Sequence, residues 1–319
     1  MKFFTSLFGS HRTSEENKFE TLRDDGVRAM QMGELPYAEK CFKAALDFKR
    51  DLKTVSYLAE VSLRQQNYEQ ALPLLEELVQ AQPDAMEVEL LLAQTQGKLQ
   101  RYADERNTAA TLTTQYPGEP RALYLAAEAD HGLGEDLPAI EHLTRCLSLR
   151  PDYGQALLLR AQIYADTEQW TEALSDVQEL IKGRDGEENE DYHLLRSRIL
   201  HALGRDAEAI ADLQKARLLN PFNTTTVLQL GQMLEAESRP DEALSLYSES
   251  IEQQPDFTGA YEARARVKRS MGNEAGAEAD EKKALEMHSR QSQEPGTDDY
   301  TNVENLMNEK YRNMNPYKF

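Results

Sequence analysis

Small residues return along this chain at a nearly fixed interval, and no other feature limits its folding so tightly. Alanine recurs at Ala38, Ala71, Ala139, Ala173, Ala209, Ala243 and Ala277, and Glu105 occupies the one remaining place. The successive steps are 33, 34, 34, 34, 36, 34 and 34 residues. Twelve residues before each lies a second small column: Gly26, Ala59, Ala93, Ala127, Ala161, Ser197, Gly231 and Ala265. Two small columns in fixed register mean two helices whose backbones approach closely once per repeat. The apolar spacing around them is helical. After Arg121 it runs Leu123, Ala126, Ala127, then Gly134, then Ala139, Ile140, Leu143, Cys146 and Leu147. Steps of three and four on either side of a glycine predict two amphipathic helices joined by a turn. Gly33, Gly134, Gly204 and Gly272 sit in that turn, where a left-handed cap suits glycine. Pro83, Pro117, Pro151, Pro221 and Pro255 close their repeats, because proline cannot continue a helix.

With Tyr68, Tyr102 and Trp170 at the aromatic turn position, this register resembles tetratricopeptide repeat proteins of the bacterial cytoplasmic type, from about Phe19 to Ser289. The repeats read 19–51, 52–85, 86–119, 120–153, 154–189, 190–223, 224–257 and 258–289. Arg50, Asp185 and Ser289 depart from the closing proline. The resemblance implies an all-α fold, a right-handed α-solenoid of about eight helix–turn–helix repeats whose first helices line a concave groove. One repeat cannot bury its apolar face alone, so neighbours stack into a continuous core and the end repeats look atypical. In the last repeat, Glu281 stands in a column held elsewhere by Phe42, Leu75, Leu143, Val177, Leu213 and Tyr247. That charge suits a face with no neighbour beyond it.

The formal charge of −20 opposes nucleic acid and anionic headgroups over most of the surface. No nucleic-acid partner is expected. Cys41 and Cys146 are the only cysteines, too far apart in sequence for a disulfide framework, which suits a reducing compartment. No apolar run has the length to span a bilayer, and the N-terminus lacks the apolar core of a secretory signal. A cytoplasmic location is expected.

Catalytic and metal-binding patterns are missing. The six histidines form no His-Glu-x-x-His pattern, and no cysteine pair has zinc-ligand spacing. Neither a phosphate-binding glycine loop nor a Gly-x-Ser-x-Gly elbow occurs. Cys146 falls in a core column, and Asn223 ahead of Thr224 reads as a helix cap in preference to a glycosylation acceptor. No cofactor and no enzymatic activity are expected.

Two rows on the first helices are candidates for binding. The first runs Arg23, Ser56, Leu90, Tyr124, Leu158, Leu194, Leu228 and Glu262, with five large apolar residues in its middle. It reads either as a track for an extended or helical peptide or as packing between adjacent first helices. The second runs Val27, Glu60, Gln94, Glu128, Gln162, Arg198, Gln232 and Arg266. Its acid lies in the N-terminal half and its arginine in the C-terminal half, which either orients a peptide or is scatter among solvated positions. One function that the resemblance implies is a clamp for a chaperone's terminal carboxylate. The corresponding positions hold Arg23, Val27, Tyr57, Glu87 and Leu91, of which only Arg23 suits an anion. That clamp is not expected.

Outside the repeats, residues 1–18 form an extension in which Phe3, Phe4, Leu7 and Phe8 make a small apolar face. Two turns bury too little area for stable membrane anchoring, so membrane contact is not expected. Residues 290–319 read as a polar linker and an amphipathic helix with Val303, Leu306, Met307, Tyr311 and Met314. That helix either caps the last repeat or docks in a groove of this or another copy. The leading reading is a scaffold or adaptor that holds a protein or peptide segment in the concave groove. Self-association through the end faces or the C-terminal helix is the competing one.

Overall fold

The computed structural model describes residues 14–293, in which sixteen α-helices and no strands occur. The expected apolar face at Phe3, Phe4, Leu7 and Phe8 and the expected helix after residue 297 lie outside the described residues. The helices divide into two units, one ending at Pro151 and the other beginning at Asp152. The first holds α1 (Ser14–Gln31), α2 (Leu35–Phe48), α3 (Leu52–Arg64), α4 (Tyr68–Ala81), α5 (Met86–Lys98), α6 (Tyr102–Gln115), α7 (Pro120–Gly132) and α8 (Asp136–Leu149). The second holds α9 (Gly154–Asp166), α10 (Trp170–Lys182), α11 (Glu190–Ala202), α12 (Asp206–Leu219), α13 (Thr224–Ala236), α14 (Pro240–Gln253), α15 (Thr258–Ser270) and α16 (Glu274–Gln293). Within each unit every helix packs on its successor, so each is a stack of four hairpins. The first hairpin starts at Ser14, ahead of the expected Phe19, and the last runs to Gln293, past the expected Ser289.

All eight hairpin turns share one geometry. A residue with φ between 56° and 80° stands at Gly33, Gln66, Gln100, Gly134, Glu168, Gly204, Ser238 and Gly272. The amide after it donates back across the last helical turn, as in Glu34 N to the Ala29 carbonyl at 2.9 Å and Gln169 N to the Tyr164 carbonyl at 2.7 Å. This is the Schellman closure, which satisfies carbonyls that the helix end leaves orphaned. Four turns use glycine as the sequence predicts; the other four hold a side chain in the left-handed region.

The small columns do the expected packing, with a size exchange between the two helices of a hairpin. A Cβ added at Gly26 would meet the Phe42 ring at 2.6 Å, and one at Gly231 would meet the Tyr247 hydroxyl at 2.1 Å. Where the first helix gives up its side chain, the second supplies an aromatic one. Both rings are fully buried. Such exchange keeps the core at crystal-like density without changing the repeat length.

The longer step before Ala209 accommodates a 3-10 turn at Gly186–Glu188. Gly186 is buried, and a Cβ there would fall 2.1 Å from the Leu180 carbonyl oxygen. Buried His193 ties the turn down, its Nε2 lying 3.1 Å from the Glu187 carbonyl and its Nδ1 3.0 Å from Asp212. Caps follow sequence: the Asn223 side chain accepts from Thr226 N at 3.2 Å and that of Asp51 from Thr54 N at 3.0 Å. Cys146 is buried and its thiol donates to the Pro120 carbonyl at 3.2 Å, so it packs as a small hydrophobe.

Candidate functional site

The apolar row behaves differently in the two units. In the first, Leu90 is 2% exposed and joins Ala93, Leu112, Ala122 and Leu125 in one core cluster. Tyr124 lies half-buried against the same cluster. Here α5 packs directly on α7, and the row closes on itself. In the second unit Leu158, Leu194 and Leu228 are all half-buried, and the last two lean on the cluster around Leu213 and Leu230.

Between α11 and α13 the row opens into a cleft of about 530 Å³. Leu194, Leu195, Leu213 and Met233 supply its apolar lining, and Arg198, His201, Gln229, Gln232 and Glu237 its polar lining. Side-chain size differs around these helices. Helix α7 buries Ala122 and Ala129, and α15 buries Ala260 and Val267. At the equivalent places α13 carries Thr226 and Met233. The first helices of the α5–α7 and α13–α15 pairs pack on each other, whereas α11 and α13 are not such a pair.

The structure thus brings three of the expected residues, Leu194, Arg198 and Gln232, into one cleft. It does not bring Leu90, Tyr124, Leu158 or Leu228 there, nor Glu128, Gln162 or Arg266. Leu195, His201, Gln229 and Met233 were missed by the row. Each lies one to four residues from a row member, so the helical period held the signal, but only the splay of α11 from α13 exposes them together.

The charged row is largely answered by its neighbours. Arg198 on α11 bonds Asp166 on α9 at 3.3 Å, and Arg266 on α15 lies 3.8 Å from Glu235 on α13. Both arginines remain about half exposed, so these pairs are weak in energy. Glu128 is half-buried and Gln162 exposed. At the clamp positions Glu87 is held by Arg121 at 2.8 Å, and Arg23 bonds the adjacent Asp24. Among the described residues no three His, Cys, Asp or Glu side chains gather to hold a metal ion, and no helix is long and apolar enough to cross a membrane.

A tetratricopeptide repeat family model matches residues 58–120 and 158–223, one stretch in each unit. Both units thus carry tetratricopeptide repeats. Over 108 residues it is 32% identical to tetratricopeptide repeat protein 21B of Mus musculus, covering 33% of this chain and 8% of that protein. The chain therefore spans less than a tenth of that relative. Among solved structures, a tetratricopeptide repeat protein from Parabacteroides merdae is similar at 17% identity and a TM-score of 0.57, covering 79% of this chain and 99% of the other. A pilF structure from Pseudomonas aeruginosa is similar at 15% identity and a TM-score of 0.51, covering 66% of this chain and 95% of the other. These likenesses establish the repeat fold. A repeat of this kind supports a protein–protein interaction scaffold in general, and proteins built from it are in general non-catalytic adaptors.

Proposed function

We propose that this tetratricopeptide repeat protein is a non-catalytic adaptor that captures a peptide segment on the first-helix face of its second unit. The cleft between α11 and α13 carries the reading. Its apolar lining of Leu194, Leu195 and Met233 suits one large apolar side chain of the partner, and Arg198, Gln229 and Gln232 suit its backbone and polar neighbours. Burying such an anchor contributes about 1.5–3 kcal/mol before ordering costs. Both cysteines are buried and neither forms a disulfide, which agrees with a reducing, cytoplasmic setting. Pull-downs with the wild type and with Leu194→Asp plus Met233→Asp test it. The charged form is expected to lose its partners while keeping its helical circular dichroism. An equal set of partners with equal helicity overturns the proposal.

A second reading, self-association through the end face, has its own observation. Leu285 on α16 is 67% exposed, although Leu147, Ile181 and Ile251 in the same column are buried. Light scattering over a dilution series decides it: dimers abolished by Leu285→Lys or by deleting 297–319 support the reading, and monomers at every concentration refute it.

A further inference from the structure

Beyond α16 the sequence takes up helical spacing once more, at Val303, Leu306, Met307, Tyr311 and Met314, a stretch outside the described residues. A helix with such a stripe is held in water by burying it against apolar surface. The last repeat does not offer that surface. Where α14 meets α15 with Leu244, Tyr247 and Ile251, α16 carries Glu278, Glu281 and Leu285. Glu281 is engaged as well, accepting from Arg269 at 2.6 Å. Leu285 by itself cannot cover the stripe.

Other large apolar side chains stand exposed in this unit at Leu218 on α12 and Met271 at the end of α15, on separate helices. The cleft between α11 and α13 instead gathers Leu194, Leu195, Leu213 and Met233 into one opening of about 530 Å³. Its wall residue Met233 is adaptable in shape and suits an irregular apolar occupant. We propose that residues 300–314 of this same chain form a helix that lies in the cleft, with Met307 as its anchor, and keep it closed until a partner displaces them.

The reach agrees. Helix α16 packs on α15 and α15 on α13, so about two helix widths, roughly 20 Å, separate α16 from the near wall. Successive helices reverse direction, so α16 finishes at the end of the stack where α13 begins, and Thr225 there lines the cleft. Residues 294–302 can span up to about 30 Å, which brings Val303 to that end. From there a helix over 303–314 rises about 18 Å, close to the length of α13 with its 13 residues. The charges agree too. His201 and Asp206 bond each other, which leaves Arg198, in a long bond of 3.3 Å to Asp166, and the exposed Glu237 on the rim. The stripe is bordered by Glu304 and Lys310, so each side brings one charge of either sign. This inference rests on the reading of the cleft as a peptide site and names the segment that fills it at rest.

The test uses the full chain and a fluorescein-labelled peptide of residues 297–319, followed by fluorescence anisotropy. In the wild type the attached segment holds the cleft, so the free peptide is expected to bind weakly. Leu306→Asp with Met307→Asp leaves every repeat untouched and releases the segment. That variant is expected to bind the peptide roughly tenfold or more tightly than the wild type. Adding Leu194→Asp and Met233→Asp to it is expected to abolish the gain with helicity retained. Equal affinity of the wild type and the released variant, no binding by the released variant, or a gain that survives the cleft changes overturns the inference. So does a wild-type dimer in light scattering that the released variant loses, since the segment then sits in a second copy. The reading of the cleft as a peptide site falls on a different result, the unchanged set of partners in the pull-down, so the two fail separately.

Discussion

Sixteen residues apart within each hairpin, a first-helix and a second-helix side chain face one another, and the two units fill that place with opposite chemistry. The N-terminal unit has Asp25 with Cys41, Leu58 with Leu74, Leu92 with Thr108, and Ala126 with His142, none of them an ion pair. The C-terminal unit uses buried ion pairs: Arg160 with Asp176, Arg196 with Asp212 and Arg264 with Asp280, each forked with both bonds between 2.6 and 2.8 Å. Only Leu230 with Leu246 reverts to the apolar form. One backbone geometry thus accepts either solution, provided every buried charge is answered. The N-terminal unit breaks that condition most completely at Glu105, fully buried against Gly97 with both oxygens unpaired, and again at Glu89, buried with one oxygen unpaired.

Removing one partner of a pair gives the largest expected effect. Asp176→Ala strands Arg160, and a loss of about 3–5 kcal/mol is expected in urea unfolding followed by Trp170, the single tryptophan and a reporter of the C-terminal unit. The double change Arg160→Leu with Asp176→Leu copies Leu230 and Leu246 and is expected to restore wild-type stability or exceed it. A double mutant as weak as Asp176→Ala would show that the slot itself demands charge in this unit.

Next in size is an opposite response to pH. Glu105 has a folded value of about 8, above the ordinary carboxylate range, so the folded N-terminal unit binds the extra proton. Its stability is full in mild acid and falls as pH rises towards 8. For Asp212 burial pushes the carboxyl up, but hydrogen bonds from Arg196 and His193 outweigh it and leave it below the ordinary range. Arg264 and Lys268 do the same for Asp280. Their stabilisation is present above about pH 4 and is lost below it. Glu105→Ala combined with Gly97→Ala, which refills the space, is expected to gain roughly 2–4 kcal/mol at pH 8 and little at pH 5, read as the pH dependence of unfolding. A gain equal at both pH values would assign the effect to packing, not charge.

The smallest expected effect serves as the control, since it should not distinguish the units. Gln66 and Gln100 in one, and Glu168 and Ser238 in the other, hold left-handed turns that glycine adopts without strain. Each change to glycine is expected to add about 0.5–1 kcal/mol to urea-unfolding stability. A gain confined to one unit would mean that its turns carry strain of another origin.

Much of this was readable beforehand. The repeat period, the hairpin of two helices, the glycine turns, the cap at Asn223 and the packed thiol of Cys146 all follow from local spacing. The Arg–Asp pairs were also encoded, since Arg160, Arg196 and Arg264 each precede an aspartate by sixteen residues. The apolar row read the same in both units, yet Leu90 became core while Leu194 became a cleft wall. That outcome depends on how far apart neighbouring first helices stand.

Sequence alone therefore settled which residues are equivalent, because helix formation and close approach depend on residues a few positions apart and recur with the period. Tertiary structure decided which equivalent residues remain open to a partner and which carboxyls stay charged. Both depend on the sizes and charges of side chains from three helices meeting at one point, and no single stretch of chain contains that sum.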